Sequence, residues 1–331
     1  MVSGRVIPGA KAPEPGDLVH PFMIERSGIR GRLLRLGPAL DTIVRRPGYP
    51  EPVGRLLAEL VALGTTLAST LKYDGSFTLQ IKGSEAVRTM VMDATSDGAL
   101  RGYAGYDADA VAALQQAETP LSLPAWVGKG HMAFTVDQGE FTERYQGLVA
   151  LTGESLLDSL LHYFRQSQQV NAGILVSVQP PEASASGEWR AGALLIEQVP
   201  DDNAPKFDRV DDEDWRRALI LMASCTDSEL VEPALAPNDL LYRLFHEEGV
   251  RVFEPRPVSV GCRCTQQRME RVLRSIDRAE LEEFKVEGKV VLTCEFCALD
   301  FPFDDGDLDR LYRAGDDAAD DSASERRTAA D

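Results

Sequence analysis

Four of the five cysteines in this chain occur as two close pairs near its C-terminal end. One residue separates Cys262 from Cys264, and two residues separate Cys294 from Cys297. Cysteine thiolates bind zinc tetrahedrally, and four of them complete its coordination shell. A complete shell leaves no position for water or substrate. The spacing therefore predicts one Zn²⁺ per chain, bound by all four cysteines, and disfavours metal-catalysed hydrolysis.

The sequence between the two pairs predicts a small domain that depends on this metal. Met269, Val272, Leu273 and Ile276 have helical spacing, and a short strand, 289–293, leads into the second pair. Asp277 and Glu280 resemble a capping box for a second short helix, and 298–303 is expected to return beside the strand. Structural zinc contributes roughly 10–16 kcal/mol in small domains. A whole domain is typically stable by only about 5–15 kcal/mol. Loss of zinc is therefore expected to unfold this segment.

Oxidation of the cysteines gives a way to remove the metal. If an oxidant joined each pair, the two rings would span only three and four residues. Each bridge would then stabilise the fold by under about 2 kcal/mol. Oxidation would replace one strong cross-link with two weak local ones, which predicts a reversible unfolding switch. The alternative is a structural zinc that stays reduced permanently.

Composition and charge restrict the partners and the compartment. The 331 residues carry a net charge of −18, which opposes binding to nucleic acid or to an anionic membrane. The N-terminal sequence lacks the apolar core of a secretory signal. No stretch approaches the roughly 18 apolar residues of a membrane span. We expect a reducing, cytoplasmic location, where clustered cysteines bind metal or sense redox state.

The pattern of the chain up to about residue 202 predicts an α+β domain. Residues 1–20 are rich in proline and glycine and are expected to form a flexible arm, and the core domain is placed at 21–202. Segments with a period of two, such as Phe77, Leu79 and Ile81, indicate an antiparallel sheet. Further strands are predicted at 87–92, 99–106, 132–136 and 144–151. Two helices with apolar stripes, 50–71 and 152–167, are predicted among these strands, and Thr152 or Gly153 is the expected cap of the second. Helices and strands are segregated rather than strictly alternating, which favours α+β over a doubly wound fold.

Beyond this domain the composition changes. An acidic stretch opens a predicted linker, 203–257, which contains two amphipathic helices. In the second helix, Asn238 is the predicted N-cap and Gly249 the predicted stop. The zinc domain is expected at 258–313, followed by a disordered acidic tail, 314–331.

The flanking residues then reveal a resemblance that covers roughly Ile29 to Tyr312. The motifs that carry it are FTLQIKG, LRGYA, ERYQGLVALTGESLLDSLLHYFRQSQQ, LLYRLFHEEGVRVFEP, CRC, and CEFC followed by FPF. In this order they resemble the 33-kDa heat-shock protein family, the redox-regulated bacterial holdases. CRC followed by CEFC is the most specific element.

The resemblance implies a chaperone that does not hydrolyse ATP and is not an enzyme. It implies that the reduced protein holds zinc and is inactive. Oxidation would form the bridges Cys262–Cys264 and Cys294–Cys297, release zinc and loosen the linker. Exposed apolar faces around Trp215 and Leu241 would then hold unfolded client proteins, and oxidised chains would form homodimers.

Two other functions are compatible with parts of the sequence. A thiol-disulfide oxidoreductase is the alternative suggested by CEFC, and a zinc-ribbon nucleic-acid regulator is a weaker one. Cys225 is expected to be a buried, inert thiol, with a regulatory role as the alternative. His246 is expected at the surface, and Glu247 and Glu248 at a solvated helix end.

Overall fold

The computed structural model describes residues 5–6, 16–138, 145–165, 171–198 and 212–312. The chain forms two compact units, Met1–Cys262 and Arg263–Asp331. Most of the predicted arm, the first nine residues of the predicted linker and the whole of the predicted tail lie outside the described residues. A strand begins at Leu18, inside the stretch that was expected to belong to the arm.

The first unit contains a seven-stranded sheet. Its strands, in spatial order, are β1 (Arg5–Val6), β13 (Ser259–Cys262), β6 (Ala99–Tyr106), β5 (Val87–Thr95), β4 (Ser76–Lys82), β7 (His131–Asp137) and β8 (Tyr145–Ala150). All neighbours are antiparallel except β13 and β6, which are parallel. The strands predicted around Phe77, Val87, Ala99, Met132 and Tyr145 are all present.

A second, wholly antiparallel sheet also belongs to the first unit. Its strands, in spatial order, are β11 (Val250–Val252), β2 (Leu18–Ile24), β3 (Ile29–Leu36), β10 (Arg190–Gln198) and β9 (Asn171–Gln179), with β12 (Arg256–Pro257) also paired to β2. Two strands of this sheet, β11 and β12, come from the predicted linker. The linker thus continues the sheet that β2 and β3 begin.

One long helix, α2 (Glu51–Ala68), contacts strands of both sheets. Fourteen of its 18 residues are buried, as expected for a helix that is apolar nearly all round. We call the core around it the first apolar cluster; it includes Leu57, Leu79, Met92 and Leu195. Because α2 is enclosed in this way, the central core of the unit is built without the linker helices.

Four shorter helices complete this part of the unit: α1 (Pro38–Arg45), α3 (Ala108–Gln116), α4 (Leu123–Trp126) and α5 (Leu156–Tyr163). The predicted cap of α5, Thr152 or Gly153, was wrong. Ser155 is the N-cap, and it forms a capping box with Asp158. The two side chains satisfy each other's main-chain amides, which fixes the start of α5.

The described part of the predicted linker forms three helices: α6 (Asp212–Ala223), α7 (Asp227–Val231) and α8 (Pro237–Phe245). They cover the face of β2, β3 and β10 that points away from α2. The apolar side chains buried there form a second apolar cluster, composed of Phe22, Ile24, Ile29, Leu33, Leu194, Ile196, Ala218, Met222, Leu230, Leu240, Leu241, Leu244 and Phe245.

The ends of α8 differ in part from the prediction. Asn238 lies inside the helix, because Pro237 occupies the first helical position and Ala236 precedes it as the N-cap. Proline is well suited to that position, since the amide it lacks would have no helical partner. The stop at Gly249 is confirmed, since this residue ends the following turn with a φ of 70°.

The second unit is small. It contains α9 (Gln266–Leu273), a 3-10 turn (Glu280–Phe284), the hairpin of β14 (Val290–Thr293) and β15 (Asp300–Phe303), and helix α10 at 305–312. Leu273, Leu281, Phe303 and Leu308 are its most deeply buried apolar side chains. Domains with so few core residues usually need a further cross-link to be stable.

Helix α9, β14 and the returning strand β15 match the sequence-based expectation, with one correction. The expected capping box at Asp277 is absent, because the Asp277 carboxylate instead accepts a hydrogen bond from the Ala279 amide at 2.8 Å. Within the described residues, no helix is both long enough and apolar enough to cross a membrane.

Candidate metal centre

Strand and turn geometry bring the four paired cysteines to defined positions. Cys262 is the last residue of β13, and Cys264 precedes Thr265, whose hydroxyl caps α9 by accepting from the Arg268 amide. Cys294 directly follows β14. Each pair therefore lies where a short strand ends, so the sulfur atoms are held by ordered backbone.

The second pair sits in a tight turn. The Ala298 amide donates to the Cys294 carbonyl at 2.7 Å, and the Cys294 amide donates to the Leu299 carbonyl at 2.9 Å. Ala298 has a φ of 51°, a conformation uncommon for residues other than glycine. These bonds curl the chain so that Cys294 and Cys297 lie on the same side of the turn.

All four sulfur atoms lie within 4.8 Å of one another. The Sγ atoms of Cys264 and Cys297, which belong to different pairs, are 3.4 Å apart. A tetrahedral zinc site with bonds of about 2.3 Å places its sulfurs about 3.8 Å apart. The four side chains are between 1% and 7% exposed, and no disulfide joins them. This donor set fits zinc.

Cys225 differs from this group in its surroundings. It is half-buried at the end of α6, and its Sγ lies 3.7 Å from the Thr226 carbonyl oxygen. Burial, and secondly the nearby Glu229 carboxylate, raise the pKa of the Cys225 thiol to about 11. The thiol therefore remains protonated at neutral pH, and a protonated thiol is a poor nucleophile.

The remaining candidates divide into one confirmed and one corrected expectation. His246 is exposed, as expected, and its Nδ1 lies 3.1 Å from the Tyr242 carbonyl oxygen. Glu248, however, is buried rather than solvated, and its carboxylate forms an ion pair with Arg217 of α6 at 2.8 Å. The two residues lie 31 positions apart with no periodic pattern linking them, so the sequence does not predict this pair.

Comparison with known proteins identifies the family of this chain. The family model described as "Hsp33 protein" matches residues 17–304. The chain belongs to the Hsp33 family. The match includes every strand of both sheets except β1, the linker helices and all four paired cysteines. The resemblance seen in the sequence is thereby confirmed.

Curated relatives of similar length support the same family membership. The 33 kDa chaperonin of Caulobacter vibrioides is 35% identical over 298 residues, which is 88% of this chain and 97% of the relative. That of Photobacterium profundum is 32% identical over 297 residues, 89% of this chain and 95% of the relative. The protein is thus an Hsp33-family chaperone, and the expectation that it is not an enzyme is confirmed.

A solved Hsp33 structure shows the same fold. The 33 kDa chaperonin of Thermotoga maritima superposes with a TM-score of 0.74 at 19% identity, covering 92% of this chain and all (100%) of that one. The α+β class, with helices and antiparallel sheets, is confirmed. The finer division into core, linker and zinc domains stays a prediction.

Proposed function

We propose that this chaperone is an ATP-independent holdase controlled by the oxidation state of its four paired cysteines. In the reduced protein, Cys262, Cys264, Cys294 and Cys297 hold one Zn²⁺ and the chaperone is inactive. Oxidation forms the bridges Cys262–Cys264 and Cys294–Cys297 and releases the metal. The layout we propose is a core (21–202), a linker (203–257) and a zinc domain (258–313).

The observation that carries the proposal is the composition of the second apolar cluster. Seven of its 13 residues lie in the linker helices, and six lie on the sheet beneath them. Undocking of the helices would expose both sets of side chains together. Exposed contiguous apolar surface binds unfolded chains without requiring a particular sequence. Unfolded proteins are therefore the proposed clients.

The path from the cysteines to this cluster runs through β13. Strand β13 ends at Cys262, and it follows directly on the two strands that the linker adds to β2. The Val258 amide donates to the Asp17 carbonyl and the Ser259 amide donates to the Gly98 carbonyl, each at 3.0 Å. Strand β13 is also paired with β6 on one side and with β1 on the other, and release of Cys262 from zinc would remove a further anchor at the end of the linker.

The same mechanism sets the expected surroundings of the protein. A zinc–thiolate centre that responds to oxidants requires a reducing resting state, so we place the protein in the cytoplasm. Exposed apolar faces on two oxidised chains can cover each other, which supports a homodimer after oxidation. The acidic chain is not expected to bind nucleic acid or membranes.

The test measures bound zinc, free thiols and suppression of aggregation of thermally unfolding citrate synthase, before and after peroxide treatment at elevated temperature. We expect reduced protein to hold one zinc and to suppress aggregation poorly. Treated protein should lose zinc and four thiols and suppress aggregation strongly, and reductant should reverse the thiol change. Equal suppression by the reduced and treated forms, with zinc retained, would refute redox control.

A further inference from the structure

The end of α7 rests on a site formed by two residues of the second sheet. Gly192 on β10 and Arg35 on β3 are directly paired across the two strands. A Cβ atom at Gly192 would lie 2.2 Å from the Leu230 carbonyl oxygen of α7. Only glycine therefore lets the main chain of α7 lie directly against the strand. We call Arg35 and Gly192 the carbonyl seat.

Arg35 supplies the polar part of the carbonyl seat. Its guanidinium donates to the main-chain carbonyls of Glu229 at 2.7 Å, of Leu235 at 3.4 Å, and of Glu232. These oxygens belong to the last turn of α7 and to the turn that follows, where helical carbonyls lack amide partners. A cation is favoured at such an end, and the fork of a guanidinium can serve several oxygens at once.

The partners of Arg35 in these contacts are main-chain atoms, which every polypeptide possesses. The side chain is only 7% exposed, and apolar residues flank it on the same face of the sheet, among them Leu33 and Leu194. Burial lowers the pKa of Arg35 to about 10, so the guanidinium is still charged at neutral pH. When α7 leaves, this cation stands in an apolar surface without the carbonyls that satisfied it.

We propose that the carbonyl seat is a binding site for main-chain carbonyl groups of unfolded client polypeptides, which α7 occupies in the resting chaperone. The inference rests on the proposed release of the linker. Client side chains would cover the apolar sheet face, while Arg35 would hold carbonyl oxygens that an unfolded chain leaves unpaired. The linker then occupies the client-binding site in the resting protein, in addition to covering the apolar face of the sheet.

The test compares oxidised variants for binding of fluorescently labelled, reduced and carboxymethylated α-lactalbumin, which is permanently unfolded. Arg35→Met removes the donors, and we expect about tenfold weaker binding, as for the loss of a charged hydrogen bond. Arg35→Lys keeps the charge but not the fork and should fall between this variant and the wild type. Arg30→Met, an exposed position on the same strand, is the matched control and should bind as the wild type does.

Thr226→Ala separates the loss of α7 docking from the loss of the guanidinium, because the Thr226 hydroxyl caps α7 by accepting from the Glu229 amide and lies outside the carbonyl seat. In the reduced protein, hydrogen exchange should rise severalfold in α7 for both Thr226→Ala and Arg35→Met, with β4 and β5 still protected. Preserved protection there also shows that the variants fold. After oxidation, Thr226→Ala should bind the unfolded probe within about twofold of the wild type, because Arg35 and Gly192 remain.

Three results would overturn the carbonyl seat. If oxidised Arg35→Met binds as tightly as the wild type, Arg35 only secures the linker. If Thr226→Ala weakens binding as much as Arg35→Met, the loss comes from the altered linker. If the oxidised wild type itself fails to bind, the proposed function fails and the carbonyl seat fails with it, a result distinct from the first two.

Discussion

The ring of Phe245 on α8 stacks against the ring of Phe22 on β2, with centroids 5.7 Å apart and planes inclined by 25°. Both side chains are essentially inaccessible to solvent. This pair lies in the second apolar cluster and joins the last linker helix to the sheet. Its stability therefore bears directly on how firmly the linker is docked.

Replacing Phe245 by alanine should undock the linker without any oxidant. Large-to-small substitutions of this kind cost about 3–5 kcal/mol when the aromatic ring is fully buried. We expect the reduced Phe245→Ala protein to suppress aggregation of citrate synthase while it retains zinc. Tyr242→Ala is the matched control, because Tyr242 lies on the same helix and is 65% exposed. Equal inactivity of both reduced variants would contradict a role for this cluster in holding the chaperone silent.

Removing zinc from the reduced protein should unfold the second unit and spare the first. The unit has few core residues, and structural zinc contributes roughly 10–16 kcal/mol in domains of this size. Hydrogen exchange after chelation should become fast in α9 and β14 and stay slow in β4 and β5. The double variant Cys262→Ser, Cys294→Ser should bind far less than one zinc per chain. A full equivalent of zinc in that variant would mean that the ligands are other residues.

Glu59 of α2 should make the first unit less stable as the pH rises. The carboxyl group accepts a hydrogen bond from the Leu157 amide at 3.4 Å, and burial raises the pKa of Glu59 to about 7. The folded state then holds a proton that the unfolded state releases above about pH 4.5. Stability should therefore fall by about 3 kcal/mol between pH 4.5 and 7 and change little above that range.

Urea unfolding of Glu59→Gln at pH 5 and pH 8 tests this expectation. The glutamine mimics the protonated carboxyl, so the variant should lose much of the pH dependence and should be the more stable protein at pH 8. Glu182→Gln, at an exposed position in the loop before β10, should unfold as the wild type does at both pH values. A Glu59→Gln variant with an unchanged pH slope would show that the carboxyl is ionised in the fold.

Replacing Cys225 by serine should leave the switch intact. Because the pKa of this thiol is raised to about 11, little thiolate exists at neutral pH. Zinc content and activation by peroxide should match the wild type, while alkylation of the unfolded variant finds one thiol fewer. Cys294→Ser is the contrasting variant and should lose zinc. Failure of Cys225→Ser to become active after peroxide would give Cys225 the regulatory role that the sequence left open.

The parts of the fold that sequence could predict are those in which one face is buried. Alternation at Phe77, Leu79 and Ile81 identified β4, and helical spacing identified α2 and α5. Strand β2 was not predicted, because five of its seven residues are buried and both faces of the strand are covered, so that its sequence does not alternate between apolar and polar residues. His20 and Pro21 within it also argue against a strand by composition. The linker strands β11 and β12 were not predicted, because they have only three and two residues.

The candidate site shows the same division. Pair spacing alone pointed to a convergence of Cys262, Cys264, Cys294 and Cys297, and the fold brings their sulfurs together. The role of Arg35 had no comparable signal. An arginine in a strand is ordinarily taken as solvated, and its partners lie almost 200 residues further along the chain. Contacts of that range depend on tertiary packing, which local patterns do not encode.

The two apolar clusters lie on opposite faces of one sheet and have no residue in common. Substitutions in the second apolar cluster can shift the temperature at which the linker helices undock. The first apolar cluster, around α2, is unaffected by them and keeps the rest of the unit folded. Evolution in colder or warmer habitats could therefore change this undocking temperature through substitutions in the second apolar cluster alone. Sequence differences that change the undocking temperature should then be concentrated in α6 to α8 and in the strand positions that face them.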